Sequence, residues 1–297
     1  MTNNIVHNTA SNTLPSTVSL RRQITNYFFI GLSAGLSVLV VSTLVAIFAY
    51  LILKGAGSLN WNFLTQVQKP IGEAGGGMAH AFVGSVIVLG IASLLGVPVG
   101  IGAGVYLAEY GRNQFGQLVR FTADVLNGVP SIVIGLVAYG LVVVRQHHFS
   151  AFAGGVALAI MMVPTVARST EEMMLLIPQA VREAAFGLGI PQWRTTLSIT
   201  LPTAQSGIIT GVMLAFARVA GETAPLLFTA FGNPFWSLSP GQPIAALPLQ
   251  IFTYATSAYD EWHSQAWAGA LVLVILIVGT STLVRFVLLR RMLGEAR

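Results

Sequence analysis

The chain has 297 residues, of which 54% are hydrophobic and only 8% are charged. A water-soluble domain of this length needs far more charge to cover its surface, so the composition predicts an integral membrane protein. The absence of cysteine excludes a disulfide framework, a thiolate metal site and a cysteine nucleophile. The net charge of +5 includes no basic run longer than an arginine pair, which indicates membrane topology rather than nucleic-acid binding.

Residues 1–20 are polar and lack a periodic apolar face, and we interpret them as a flexible cytoplasmic tail. Residues 21–297 are predicted to form one all-α membrane domain. Six of its segments are long and apolar enough to cross roughly 30 Å of hydrocarbon as helices. They are about 27–53, 80–107, 121–144, 151–168, 204–229 and 265–289.

An even number of spans places both termini on the same side of the membrane. If that side is the cytoplasm, ten basic residues lie at inner segments and three lie outside, as the positive-inside rule requires. The inner residues are Arg21, Arg22, Arg112, Arg120, Arg182, Arg194, Arg285, Arg290, Arg291 and Arg297, and the outer ones are Lys54, Lys69 and Arg145.

Two connections between the predicted spans are unusual. The outer 230–264 connection is rich in proline and aromatic residues, and Trp236, Trp262 and Trp267 lie in or next to it. It fits an interfacial loop with its tryptophans at headgroup level, or a periplasmic gate or docking surface, and these two interpretations are compatible.

The predicted spans are rich in glycine, which indicates close helix packing. Irregular backbone near Pro98 and Pro130 is allowed where protein or water covers it.

The second unusual connection, residues 169–203, is called the coupling segment below. Its sequence "EAAFGLGIPQWRTTLSITLP" predicts a helix that ends at Gly189 and a second helix that starts at Pro191 and stops at Leu201-Pro202. The spacing of Glu-Ala-Ala, Gly, Ile and Leu-Pro resembles the EAA loop of ABC importer permeases. The matching residues are Glu183, Ala184, Ala185, Gly189, Ile199, Leu201 and Pro202. The resemblance implies a coupling helix that sits in a cleft of an ATPase subunit; the alternative is an ordinary amphipathic connector.

The chain carries no recognisable motor or catalytic centre. Neither Lys54 nor Lys69 belongs to a G-x-x-x-x-G-K-[ST] pattern, so ATP hydrolysis with its Mg is assigned to a separate subunit. His147 and His148 are adjacent and do not converge on one metal from a helix face. We therefore predict no enzymatic activity, cofactor or metal site in this chain.

Charges inside apolar segments are costly and need a partner or a pathway. Arg120 and Asp124 are four residues apart and are predicted to pair on one helix face near the inner interface. Arg168 fits either an interfacial anchor or a translocation pathway. Arg218 lies about 21 Å into the fifth predicted span, and Glu222 is predicted one turn further on the same face. These two form either a structural ion pair or a partly neutralised cationic site that attracts a tetrahedral oxyanion.

Four stretches resemble the PstA family, the permease subunits of phosphate-specific ABC importers. They are "GIGAGVYLAEYGR", "NGVPSIVIGL", "ARVAGETAPLLFTA" and "QPIAALPLQIF". The resemblance implies the all-α type I importer permease (MetI-like) architecture in the bacterial inner membrane. It also implies a second, PstC-like permease, two PstB-like ATPase subunits, a periplasmic PstS-like phosphate-binding protein, and a phosphate path that includes Arg168, Arg218 and Glu222. Other oxyanions such as sulfate, molybdate or phosphonate, and a secondary anion transporter or intramembrane enzyme, are the alternatives.

Overall fold

The structure is a computed structural model that describes residues 20–70, 73 and 75–295, without the side chains of residues 20, 288, 289 and 291–295. The predicted tail, residues 1–20, lies outside the described residues except for Leu20. Apart from one isolated bridge between Phe231 and Ile244, the described part of the chain consists of helices and their connections. The chain divides into two compact units, residues 1–50 and 51–297.

The first unit contains most of α1 (Leu20–Gly55), an uninterrupted helix of 36 residues. At 1.5 Å per residue it is about 54 Å long, which exceeds the thickness of the hydrocarbon core. The predicted first span, residues 27–53, falls entirely within it.

The second unit contains the other helices of the described residues. They are α2 (Trp61–Thr65), α3 (Ala79–Glu109), α4 (Gln114–Gly128), α5 (Ser131–Ala138), α6 (Val144–Gln146), α7 (Ala151–Leu175), α8 (Gln179–Gly187), α9 (Gln192–Thr195), α10 (Leu201–Ala220), α11 (Ala224–Leu227), α12 (Leu247–Ala255) and α13 (Asp260–Glu295). A 3-10 turn, Ala56–Ser58, follows α1, and π-helical turns at Tyr139–Val143 and Thr196–Thr200 join α5 to α6 and α9 to α10.

Five continuous stretches are long and apolar enough to cross a membrane, and a bent pair of helices counts as a sixth if the two form one broken span. The continuous ones are Arg21–Ser58, Ala79–Glu109, Ala151–Leu175, Gln192–Ala220 and Asp260–Val287. The bent pair consists of Gln114–Gly128 and Ser131–Gln146, and the direction of the chain bends by 108° between these two helical stretches. The structure is therefore an all-α membrane fold, as the composition predicts.

The third predicted span is wrong as a continuous helix. Proline disfavours helical backbone at the residue before it and lacks an N–H, and the break falls at Val129-Pro130. Irregular backbone was expected near Pro130 and is found there. Pro98, in contrast, lies inside the uninterrupted α3.

The fifth predicted span, residues 204–229, is also shorter than expected. Helix α10 ends at Ala220 with Gly221 as its cap, and the chain turns before the short α11, which carries Pro225 in its first turn. Glycine is a poor helix residue, and proline supplies no N–H to continue the ladder. Glu222 therefore lies in the turn beyond α10, and the prediction that it shares a helix face with Arg218 is wrong.

Helix α7 is the centre of the second unit, with α3, α4 and α10 packed around it. Helices α3 and α7 run parallel, because Gly96 lies against Met162, Gly100 against Val166 and Gly104 against Thr170. Both helices consequently end at the same side of the bundle, at Glu109 and Leu175. We call this side the coupling end, because α8 and α9 follow there.

The 230–264 connection is not only an interfacial loop, since residues 244–250 are all buried. Together with Thr229, it also closes the start of α7. The backbone N–H groups of Ser150, Ala151 and Phe152 donate to the carbonyls of Thr229, Gln242 and Pro240, at 2.8 to 3.0 Å. These contacts satisfy N–H groups that the first turn of a helix leaves unpaired.

The close approach of α3 to α7 predicts which glycines tolerate a methyl group. A Cβ at Gly104 would lie 2.5 Å from both the Ala167 carbonyl oxygen and the Thr170 Cβ, whereas a Cβ at Gly102 meets nothing within 4 Å. We expect Gly104→Ala to lower the free energy of unfolding by about 1–3 kcal/mol, because the helices must separate. The matched Gly102→Ala should leave it unchanged or raise it slightly. Titration with SDS in mixed micelles measures the free energy of unfolding of both variants. Equal effects of the two substitutions would contradict the close packing of α3 on α7 at Gly104.

Candidate functional site

Four charged side chains form one cluster between α4 and α7. Arg120 Nε lies 2.5 Å from Glu171 Oε1, and Arg168 Nη1 lies 3.1 Å from Glu171 Oε2. Arg168 Nε also lies 3.0 Å from Asp124 Oδ1. Glu171, which is buried, thus bridges two arginines, and two negative charges balance two positive ones.

The predicted pairing of Arg120 with Asp124 is wrong. Arg120 instead reaches Glu171 on α7, and it donates to the carbonyl oxygens of Gly111 at 2.8 Å and Leu107 at 2.9 Å. These carbonyls belong to the last turn of α3 and the residues after it, where a helix leaves acceptors unpaired. Arg120 is therefore a C-terminal cap for α3 that Glu171 holds in place.

Glu171 was not singled out from the sequence. The one local signal was its position three residues after Arg168, which puts the two side chains on the same helix face. Its pairing with Arg120 joins residues 51 apart in the chain, and no local pattern reports such a contact.

Arg218 differs from Arg168 in having no ion pair. Its side chain is exposed in this single subunit, and among the described residues no carboxylate lies within 4.0 Å of it. Glu222, predicted as its partner, is only partly exposed and forms no ion pair in the described part of the chain either. The structural ion pair between these two residues is therefore absent.

Arg168 and Arg218 lie at different levels of the bundle. Helix α10 runs antiparallel to α7, because Gly211 lies against Ser169 and Gly207 against Met173. Arg218 is seven residues beyond Gly211, or about 10 Å further along α10. The structure thus separates a neutralised charge cluster near the coupling end from the exposed Arg218 guanidinium, which lies further from that end and has no ion pair among the described residues.

The coupling segment has the predicted helix-turn-helix form with two differences. Gly189 follows α8 with a φ of +75°, the left-handed conformation expected for it. Pro191 is the N-cap of α9 rather than its first residue. Leu201-Pro202 does not stop the second helix. The π-helical turn Thr196–Thr200 joins α9 to α10, and the helical stretch runs from Gln192 to Ala220.

The two alanines of the Glu-Ala-Ala motif differ in their exposure to solvent. Glu183 and Ala184 are exposed, whereas Ala185 is buried and its carbonyl oxygen accepts from the backbone N–H groups of Leu188 and Ile190. Of the two alanines, only Ala184 is therefore available on the surface of the coupling segment. Large apolar side chains are exposed beside it: Phe186, Leu188 and Trp193. An exposed apolar surface of this kind is typical of a protein interface.

No group of three or more potential metal ligands occurs among the described residues.

Comparison with known proteins agrees with this architecture. Residues 96–292 match the family described as binding-protein-dependent transport system inner membrane component. The phosphate transport system permease protein PstA of Yersinia pestis is 46% identical over 239 residues, which cover 80% of this chain and 81% of that protein. PstA of Xylella fastidiosa strain Temecula1 is 48% identical over 242 residues, with 81% and 84% covered.

A solved structure of the inward-facing MetNI methionine ABC transporter has the same fold. The match has a TM-score of 0.57 at 17% identity, and it covers 71% of this chain and 96% of the other. The chain is a member of the binding-protein-dependent transport system inner membrane component family, in its PstA branch of phosphate transport system permease proteins.

Proposed function

We propose that the chain is the permease subunit through which an ABC importer moves inorganic phosphate into the bacterial cytoplasm. The observation that carries the proposal is the identity of 46–48% to PstA proteins over about four fifths of the chain. In the proposed arrangement the chain lies in the inner membrane with both termini in the cytoplasm. It pairs with a PstC-like permease, two PstB-like ATPase subunits and a PstS-like binding protein, and ATP with its Mg binds to the ATPase subunits.

Arg218 is the residue best suited to contact phosphate. A guanidinium can donate two parallel hydrogen bonds to a tetrahedral oxyanion, and its charge persists at any physiological pH. An arginine within an apolar bundle is costly unless a partner or an aqueous pathway lies next to it. Because Arg218 has no carboxylate partner among the described residues, a transported anion is a chemically fitting one.

Arg168 and Glu222 have secondary parts in this proposal. About a third of the Arg168 side chain is exposed, so it can attract an anion, but Asp124 and Glu171 already balance its charge. Glu222 lies four residues after Arg218 in the turn beyond α10. A carboxylate so near in the chain weakens the positive potential around Arg218, and a weaker potential favours release of the anion over trapping it.

Transport in this scheme follows alternating access. The binding protein, loaded with phosphate, docks on the periplasmic connections. Closure of the ATPase dimer then moves the coupling segment. Glu183, Ala184 and the neighbouring apolar side chains form the proposed ATPase contact, with Gly189 as the turn. The same motif also includes the buried Ala185, the partly buried Ile199 and Leu201, and the exposed Pro202 in the first turn of α10, and these residues support its fold.

The charges alone do not distinguish phosphate from other oxyanions. Sulfate, molybdate and phosphonate present the same tetrahedral oxygens to a guanidinium, and only the named relatives favour phosphate. The experiment that tests the proposal is purification of the complete complex with its binding protein and reconstitution into liposomes. We expect ATP-driven uptake of phosphate with little uptake of sulfate or molybdate; uptake of another oxyanion in its place, or uptake without an ATPase subunit, would overturn it.

The Arg218 assignment predicts a specific transport defect. We expect Arg218→Gln to lower phosphate uptake at least about tenfold, because a charge-assisted hydrogen bond contributes roughly 1.5–3 kcal/mol. Arg218→Lys should retain part of the uptake, since it keeps the charge but loses bidentate geometry. Arg285→Gln, which removes an exposed arginine from α13, is the control with unchanged uptake. Normal uptake by an assembled Arg218→Gln complex would exclude the assignment, and failure to assemble would indicate a structural role.

The opposite exposure of Ala184 and Ala185 predicts where the ATPase touches this chain. The chain contains no cysteine, so a single introduced thiol is unique in it. We expect Ala184→Cys to crosslink to the ATPase subunit and to react with thiol reagents from the cytoplasmic side, whereas Ala185→Cys should react slowly because Ala185 is only 3% exposed. Crosslinking yield on inside-out vesicles measures both. Labelling of Ala184→Cys from the periplasm would overturn the topology.

A further inference from the structure

Within the coupling segment, the side chain of one arginine holds α8 to the ends of α3 and α7. Arg182 on α8 donates from Nε and Nη2 to Glu109 Oε1, both at 3.1 Å. It also donates from Nη1 to the carbonyl oxygen of Ile177 at 2.8 Å and from Nη2 to that of Met174 at 2.9 Å. All three of its nitrogens are therefore used.

These contacts join four separate helices. Glu109 is the last residue of α3, Met174 lies in the final turn of α7, and Arg182 belongs to α8. Gln192 at the start of α9 donates from its side chain to the Glu109 carbonyl oxygen at 3.2 Å. Both helices of the coupling segment thus hold the end of α3.

Other attachments of α8 to the bundle are few. Ala185 is the only buried residue of α8, and Arg182 is the only α8 side chain with a side-chain hydrogen bond or ion pair. The side chains of Glu109 and Arg182 are only 6% and 14% exposed, so solvent screens their pairing weakly. Apart from its backbone connections to α7 and α9, α8 is therefore held to the bundle chiefly by the side chain of Arg182.

We propose that the Glu109–Arg182 pair is the positioning contact that transmits movement of the coupling segment to α3 and α7. The inference rests on the proposed function, because it assumes that an ATPase subunit moves this segment. Arg182 and Glu109 act through the helices they join and touch no substrate. When the pair is removed, the ATPase still binds and hydrolyses ATP, but α8 moves without displacing the ends of α3 and α7.

Uncoupling is measured as phosphate transported per ATP hydrolysed in the reconstituted complex. We expect Arg182→Gln and Glu109→Gln to lower this ratio at least about tenfold, while the rate of ATP hydrolysis stays within about twofold. The reason is that removing one partner of a buried ion pair costs more free energy than a tenfold change in the ratio corresponds to. Arg112→Gln is the matched control. Arg112 lines the same cleft of about 410 Å³, is exposed and forms no ion pair among the described residues.

A covalent replacement separates transmission from folding. In the variant with both Glu109→Cys and Arg182→Cys, we expect a low ratio with free thiols and recovery after a short bifunctional thiosulfonate bridges them through the cleft. A monofunctional reagent and either single cysteine variant should give no recovery. Recovery after folding is complete cannot arise from a role in folding alone.

The outcomes decide between the alternatives. An unchanged ratio in Arg182→Gln, or a parallel loss of hydrolysis and transport that bridging does not reverse, overturns the inference. If the unaltered complex transports a different oxyanion, the proposed cargo fails while the ratio measured with that oxyanion still tests the pair.

Discussion

Two parallel helices that end side by side impose the constraint on which the coupling end depends. Helices α3 and α7 finish together at Glu109 and Leu175, so their unpaired carbonyls and the negative ends of their dipoles are adjacent. Such an arrangement is unfavourable without cations. Arg120 and Arg182 supply them, one for each helix, by donating to the terminal carbonyls.

The two caps are held reciprocally. Arg120, which caps α3, is bound by Glu171 of α7, and Arg182, which caps α7, is bound by Glu109 of α3. Each helix therefore contributes the carboxylate that fixes the cap of its neighbour. Because removing one member takes a partner away from a buried or partly buried charge, all four residues stabilise the same junction. Arg168 shares Glu171 with this junction, so its charge is balanced, whereas Arg218 has no carboxylate within 4.0 Å among the described residues.

The sequence predicted those features that local patterns determine. Runs of apolar residues located the membrane helices, and the spacing from Glu183 to Pro202 located the coupling segment. Helix breaks at Pro130 and Gly221 were harder, because proline and glycine also occur inside uninterrupted helices, as Pro98 does in α3. The ion pairs were mostly missed. The i to i+4 rule favours Arg120 with Asp124, but the actual partner is 51 residues away, and only the packing of α4 on α7 brings it close.

Helix α7 is closed at both ends by other segments of the chain. Thr229 and the 230–264 connection accept hydrogen bonds from its first N–H groups, and Arg182 donates to its last carbonyls. Its 25 residues span about 38 Å as one helix, although Pro164 lies within it. Arg182 of the coupling segment and the carbonyls of Thr229, Pro240 and Gln242 are thus bound to opposite ends of a single, largely buried helix. Because protein interiors are close-packed and transmit strain, a displacement at one end of α7 has a continuous covalent and packed path to the other.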